Sequence, residues 1–141
     1  MNEASKYKTK ENERQYKQYL SCGYTEKFTV DKYGRCCNKI NRNEIEKIDI
    51  FRKNNIYGLV EIIQLPNKNW TTGSQLSMSS YGYGSCVTIW HKQYKTKNEA
   101  IEEELNYLES NIKPKDLIGY IKNAIKTYRN SLKEPEETTL F

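Results

Sequence analysis

Long apolar runs are missing from this chain of 141 residues. A membrane-crossing helix needs about 20 apolar residues in succession, so a transmembrane helix is excluded. The first ten residues, Met1 to Lys10, lack the apolar stretch of a secretory signal, and the expectation is a cytoplasmic protein. Apolar material is thin throughout: hydrophobic residues make up 36% and charged residues 29%, with a mean hydropathy of -0.93. The length fits one domain, but not all of it can be core.

Histidine is nearly absent. A histidine-based general acid or base would have to be His91, and no nucleophile elbow, zinc-protease helix motif or phosphate loop surrounds it. The carboxylates fall mostly in helical or loop segments where solvated charge is the ordinary role. The chain therefore reads as a binding protein, not an enzyme, and it calls for no cofactor. Metal ligands are also poorly arranged. Structural zinc sites pair their ligands two to four residues apart, whereas Cys22 and Cys86 have no such neighbour and Cys36 and Cys37 are adjacent. Free thiols are the expectation.

What is present is an uneven charge. The net charge is +5, and residues 1–53 hold 13 basic against 8 acidic side chains, which accounts for all of it. Residues 54–91 and 92–141 each balance. The 12 tyrosines, with abundant lysine and asparagine, match the bias of AT-rich genomes, many of them phages and mobile elements.

Four regions follow from the pattern. Residues 1–21 form a polar arm, helical or disordered. Residues 22–53 form a small basic subregion, with a hairpin expected around Phe28 to Cys37. A short helix is expected over 43–53, because Ile45, Ile48 and Phe51 recur at helical spacing behind Asn41 or Asn43 as a cap. Residues 54–133 carry the core. Ile56 to Leu65, Trp70 to Ser79 and Ser85 to His91 read as three antiparallel strands joined by the turns at Pro66–Asn69 and Tyr81–Gly84. Thr96-Lys97-Asn98-Glu99 is a capping box that opens a helix with Ile101, Leu105, Leu108 and Ile112 on one face. That helix is expected to end at Lys113-Pro114, where a second one starts with Leu117, Ile121, Ile125, Tyr128 and Leu132 inward. Residues 134–141 form an acidic tail. The fold class is α+β: a three-stranded antiparallel meander packed by two C-terminal helices.

The strand, turn, Asn69-Trp70 strand, glycine turn, strand and then Tyr94-Lys95-Thr96-Lys97-Asn98-Glu99-Ala100 order resembles the three-stranded DNA-binding domain of ethylene-response factors and phage-integrase arm-binding domains. The resemblance covers about 56–110 and implies a sheet lying in the DNA major groove with the helix behind it. Residues 54–91 hold only Lys68 as a basic residue, so arginine readout of guanine is not supplied there. Phosphate contacts would come from Lys6, Lys8, Lys10, Arg14, Lys17, Arg35, Arg42, Arg52 and Lys53, with Lys92, Lys95 and Lys97. Trp70, Tyr81 and Tyr83 would contact a groove, a base or a protein partner. The C-terminal Glu137-Thr138-Thr139-Leu140-Phe141 is similar to the bacterial sliding-clamp-binding peptide Gln-Leu-x-Leu-Phe, with Glu137 in place of its glutamine and Thr138 of its first leucine, and Leu140 and Phe141 would fill the clamp pocket.

Two functions compete. The leading one is a small phage or mobile-element accessory protein that binds DNA or a nucleoprotein complex. The other is an anti-defence inhibitor of the anti-CRISPR type, acting by protein–protein binding to a host effector through the same Tyr/Gly surface. Lysine-driven DNA binding weakens steeply with salt, and aromatic-centred protein recognition does not.

Overall fold

The computed structural model describes residues 10–25, 28, 29 and 40–133. Its centre is an antiparallel sheet in the order β1 (Glu46–Lys53), β2 (Ile56–Gln64), β3 (Trp70–Ser77), β4 (Gly82–Ser85), with the two-residue β5 (Gln93–Tyr94) also paired to β3. Three helices accompany it: α1 (Lys10–Ser21), α2 (Lys97–Ser110) and α3 (Gly119–Lys133). The class is α+β, as the sequence indicates, but the sheet has four to five strands in place of three.

Turn chemistry sets the register of β1 to β3. Asn54 adopts a φ of 55° in the β1–β2 turn, a left-handed conformation that asparagine tolerates better than most residues. At the β2–β3 turn the Leu65 amide donates to the Asn69 carbonyl at 2.7 Å, and the Asn69 amide to the Asn67 side chain at 2.9 Å. β2 is buried from Gly58 through Ile63, so it reads as a continuous apolar run, as expected of a strand covered on both faces. Gly58 is required by one close approach: a Cβ there would meet the ring of Phe51 across the β1–β2 pair.

On one face, Phe51, Val60, Ile62 and Leu76 pack against Ile101, Leu105 and Leu108 of α2 and Ile121 and Ile125 of α3. Each fully buried side chain of this kind contributes about 1.5–3 kcal/mol. On the other face, Tyr19 and Cys22 at the end of α1 join Phe28, Ile40, Ile63, Leu65, Val87 and Ile89 in a second core. The polar first segment thus supplies a helix that buries Tyr19 completely and Tyr16 in part, while Leu20 stays exposed. The sheet is sandwiched.

Three further expectations need correction. The segment 43–53 is not a helix: only Arg42–Glu44 makes a single 3-10 turn, and Glu46–Lys53 is β1. Ser85 to His91 is not one strand. β4 stops at Ser85, the chain leaves the sheet to put Val87 and Ile89 into the second core, and it returns as β5. Gly73 makes this excursion fit, since a Cβ there would overlap the Ser85 carbonyl and the Val87 amide. α2 ends at Ser110, and Pro114 begins a 3-10 turn, Pro114–Asp116, before α3 starts at Gly119. The capping box opens α2 where expected: Thr96 is the N-cap and its hydroxyl accepts from the Glu99 amide at 3.2 Å. The hairpin expected around Phe28 to Cys37 lies almost wholly outside the described residues.

Candidate nucleic-acid interface

Three chain reversals meet at one end of the sheet: the β1–β2 turn at Asn54–Asn55, the β3–β4 connection, and the link from α2 to α3. Side chains tie them together. The Ser77 hydroxyl donates to the Asn55 carbonyl at 2.9 Å. The Tyr81 hydroxyl donates to Asp116 at 2.7 Å and accepts from the Lys113 amide at 2.9 Å. Tyr120, in the first turn of α3, reaches β1, where its hydroxyl engages both backbone polar groups of Arg52.

This knot brings together cations that are far apart in sequence. Arg52, Lys53, Lys113, Lys115 and Lys122 are all exposed here. The Lys53 ammonium lies 5.9 Å from the Tyr120 ring centroid, and that of Lys113 lies 4.7 Å from Tyr81. Among the described residues the nearby carboxylates are Asp49, paired with Arg52 at 3.0 Å, Asp116, which accepts from Tyr81, and Glu109, which lines a groove with Pro114 and Leu117 and stands 3.6 Å from the Arg129 guanidinium. Ile118 is 64% exposed and Tyr120 49% exposed in the same region. Cations beside exposed apolar groups suit a surface that carries both phosphates and stacked rings.

A second basic area lies on the sheet face that α1 only partly covers. Tyr57, Glu61 and Ile63 alternate along β2, opposite Ser77, Gly73 and Thr71 of β3. Toward Ile63 the face is buried beneath α1; toward Tyr57 it carries buried Leu59 and half-buried Tyr57, Gln75 and Ser77, flanked by exposed Gly82 and Gly84. Glu61 is fully buried between the two halves. It accepts from the Val87 amide at 3.2 Å and from Gln75 Nε2 at 3.1 Å, and the exposed Arg42 guanidinium stands 3.8 Å away. The Arg52 guanidinium stacks 4.6 Å over Tyr57. Lys47 is exposed nearby. Arg42 and Arg52 each face a carboxylate, so the charge of this platform is largely compensated.

The remaining expected contacts are scattered. Tyr83 is turned inward, its hydroxyl 2.7 Å from Ser74 Oγ and its ring edge-on to Tyr107 at 5.5 Å. Burial raises its phenol pKa to about 12. Tyr81 is held as described above. Trp70 packs against the first core at the opposite end of the sheet, across from Tyr94. Lys92 sits 5.2 Å from the Tyr94 ring, and Lys97 bridges the Trp70 ring at 5.7 Å and Glu46 at 2.7 Å. Lys95 is exposed at this far end, and Arg14 and Lys17 are exposed on α1, which Lys10 begins. Lys6, Lys8, Arg35, Cys36, Cys37, Leu140 and Phe141 lie outside the described residues. Cys22 is a buried free thiol whose pKa burial raises, and Cys86 is exposed and free. Among the described residues no cluster of three or more His, Cys, Asp or Glu could hold a metal ion, and no helix is long and apolar enough to cross a membrane.

His91 lines a cleft of about 350 Å³ with Thr72, Ser85, Lys92, Tyr94, Glu104 and Tyr107. Its Nδ1 lies 2.6 Å from the Thr72 carbonyl, which can only accept, so Nδ1 carries the proton and a neutral ring keeps its lone pair on Nε2. The Thr72 hydroxyl in turn donates to Glu104 at 3.0 Å. β4 pairs with β3 only from Ser74 onward and β5 only up to Thr71. The ring therefore fills the gap in the ladder at Thr72.

Sequence reading missed Lys113, Lys115, Lys122 and Tyr120 as site residues. Nothing local marks them: the helix that carries Lys122 meets β1 only through the tertiary fold. Against protein-family models, curated proteins and solved structures, the chain matches none.

Proposed function

We propose that this protein is a non-catalytic DNA-binding accessory protein and that the basic end of the sheet, not the sheet face, meets the duplex. One observation carries the reading: Arg52, Lys53, Lys113, Lys115 and Lys122 converge from three separate chain segments onto one exposed end. The carboxylates at that end, Asp49, Asp116 and Glu109, are engaged by Arg52, Tyr81 and Arg129, leaving the lysines to act on a partner. Phosphates are the partner that such a cluster fits. Each cation placed on a phosphate releases condensed counterions, and about four contacts give a log–log salt slope near -3.6. α2 and α3 pack against one face of the sheet. α1 covers half of the opposite face, which favours end-on contact over laying that whole face in the groove.

Fluorescence anisotropy of a mixed-sequence duplex, titrated at low and then physiological salt, tests this. Saturable binding that weakens with salt, drops on Lys113→Ala or Lys115→Ala and is indifferent to Lys95→Ala is expected. Absence of binding at low salt overturns it. Binding of a host protein is the second reading, favoured by the Arg52–Tyr57 stack, since arginine and tyrosine dominate protein hot spots. Its affinity would change little over the same salt range.

A further inference from the structure

Ile118 lies between Lys115 and Lys122 in the segment that leads into α3. Among the described residues its 64% exposure exceeds that of the other exposed large hydrophobics, Leu20, Tyr107 and Tyr120, at 49–50%. A single exposed aliphatic residue is ordinary on a protein surface; what sets this one apart is how it is mounted. Its carbonyl accepts from the Lys122 amide at 3.0 Å, which fixes it to the first turn of α3. The preceding Leu117 packs against the first core, and its amide is held by the Lys113 and Pro114 carbonyls at 3.1 and 3.3 Å. On the other side Gly119 has open space where a side chain would be. The backbone is anchored on both flanks while the isobutyl-sized side chain stands clear. Lys115 and Lys122, three and four residues away, are exposed on either side.

We infer that Ile118 is a wedge that inserts between two stacked base pairs from the groove, while Lys115 and Lys122 hold the flanking phosphates. The inference rests on the DNA-binding reading and adds to it a mode of contact. Proteins that enter the minor groove use apolar side chains to unstack one base step and kink the duplex by about 20–90°. The cost of unstacking is recovered through the wider contact that the bend allows. Three features serve that use: a rigid backbone, so that insertion does not first have to order a loop; a clear side chain; and cations on both sides. Flexible pyrimidine–purine steps should be preferred, because they unstack at least cost.

The test uses the full chain and a duplex that carries 2-aminopurine at a central TA step and dyes at both ends for energy transfer, with anisotropy read on the same samples. The expected result is binding with a rise in 2-aminopurine fluorescence and closer ends. Ile118→Ser should lose both signals while keeping its affinity within about tenfold and its salt slope unchanged; Ile118→Leu should retain both. Wild-type binding with no change in stacking or end-to-end distance overturns the wedge and leaves the DNA-binding reading standing. Unstacking by Ile118→Ser equal to that of wild type also overturns it. No binding at low salt removes both the wedge and the reading beneath it. Ile118 contributes to neither core, so Ile118→Ser should fold, and coincident wild-type and variant urea transitions check this.

Discussion

The hydroxyl of Tyr120 accepts a hydrogen bond from the Arg52 amide at 3.1 Å and donates one to the Arg52 carbonyl at 2.7 Å. One atom thereby satisfies both outward-facing backbone groups of a residue on the edge strand. An exposed edge is a template for pairing with another chain, and here part of that template is occupied. Tyr120→Phe should destabilise the fold by about 0.5–1.5 kcal/mol, because water replaces the lost partner. Urea denaturation measures this, and a fall in stability well above that range would mean that Tyr120 also orders α3.

The salt dependence of DNA binding should separate the two ends of the sheet. Lys115→Ala should weaken binding uniformly across sequences and make the log–log salt slope shallower by about 1. Lys95→Ala, at the far end, should leave both unchanged. Equal effects from the two would show non-specific attraction to the whole basic surface.

Glu61 organises the middle of the sheet. Glu61→Ala would leave the Val87 amide and the Gln75 side chain without their acceptor, at about 1–3 kcal/mol for each buried group left unpaired. Glu61→Gln keeps one oxygen and should cost less. Hydrogen exchange at Val87 reports the same event locally, and unchanged protection in Glu61→Ala would contradict it.

Gly73→Ala should be costly although the side chain added is only a methyl group. Its Cβ would press on the backbone at Ser85 and Val87, which cannot rotate away, and overpacking of this sort costs about 1–3 kcal/mol. Thermal unfolding compares it with Gly84→Ala, where nothing lies within 4 Å of the added atom and little change is expected.

Stability should fall as pH rises from about 10 to 12. Burial raises the Tyr83 phenol to about 12, with the Glu104 carboxylate adding to it. The folded state therefore keeps a proton that the unfolded chain releases near 10, and the advantage is whole below 10 and lost as pH passes 12. Urea midpoints measured across this range should flatten in Tyr83→Phe. An identical slope in the variant would assign the effect to other tyrosines.

The parts of the fold that were legible in the sequence are those written in local chemistry. β2 and β3 follow from branched residues around the Pro66–Asn69 turn, and α2 from Thr96 and Glu99. β1 was hidden by its own irregularity. A register shift between Asp49 and Phe51 inserts one residue, so that Ile48 and Phe51 stand three apart and imitate helical spacing. The basic end was hidden differently. Residues 92–141 balance in charge when counted as a segment, and only the packing of α3 against β1 and of the 3-10 turn against Tyr81 sorts their lysines toward Arg52 and Lys53.

The same sorting separates the two helices of the outer layer. α2 carries Glu99, Glu102, Glu103, Glu104 and Glu109 against Lys97, whereas α3 carries Lys122, Lys126, Arg129 and Lys133 with no acidic residue. Two neighbouring rods of opposite sign give the molecule a lateral electric polarity that its modest net charge conceals. In the field of a polyanion, that polarity turns the α3 side inward before contact and holds α2 away. Encounter with such a partner would thereby be biased toward one lateral orientation, with the α3 flank leading and α2 trailing.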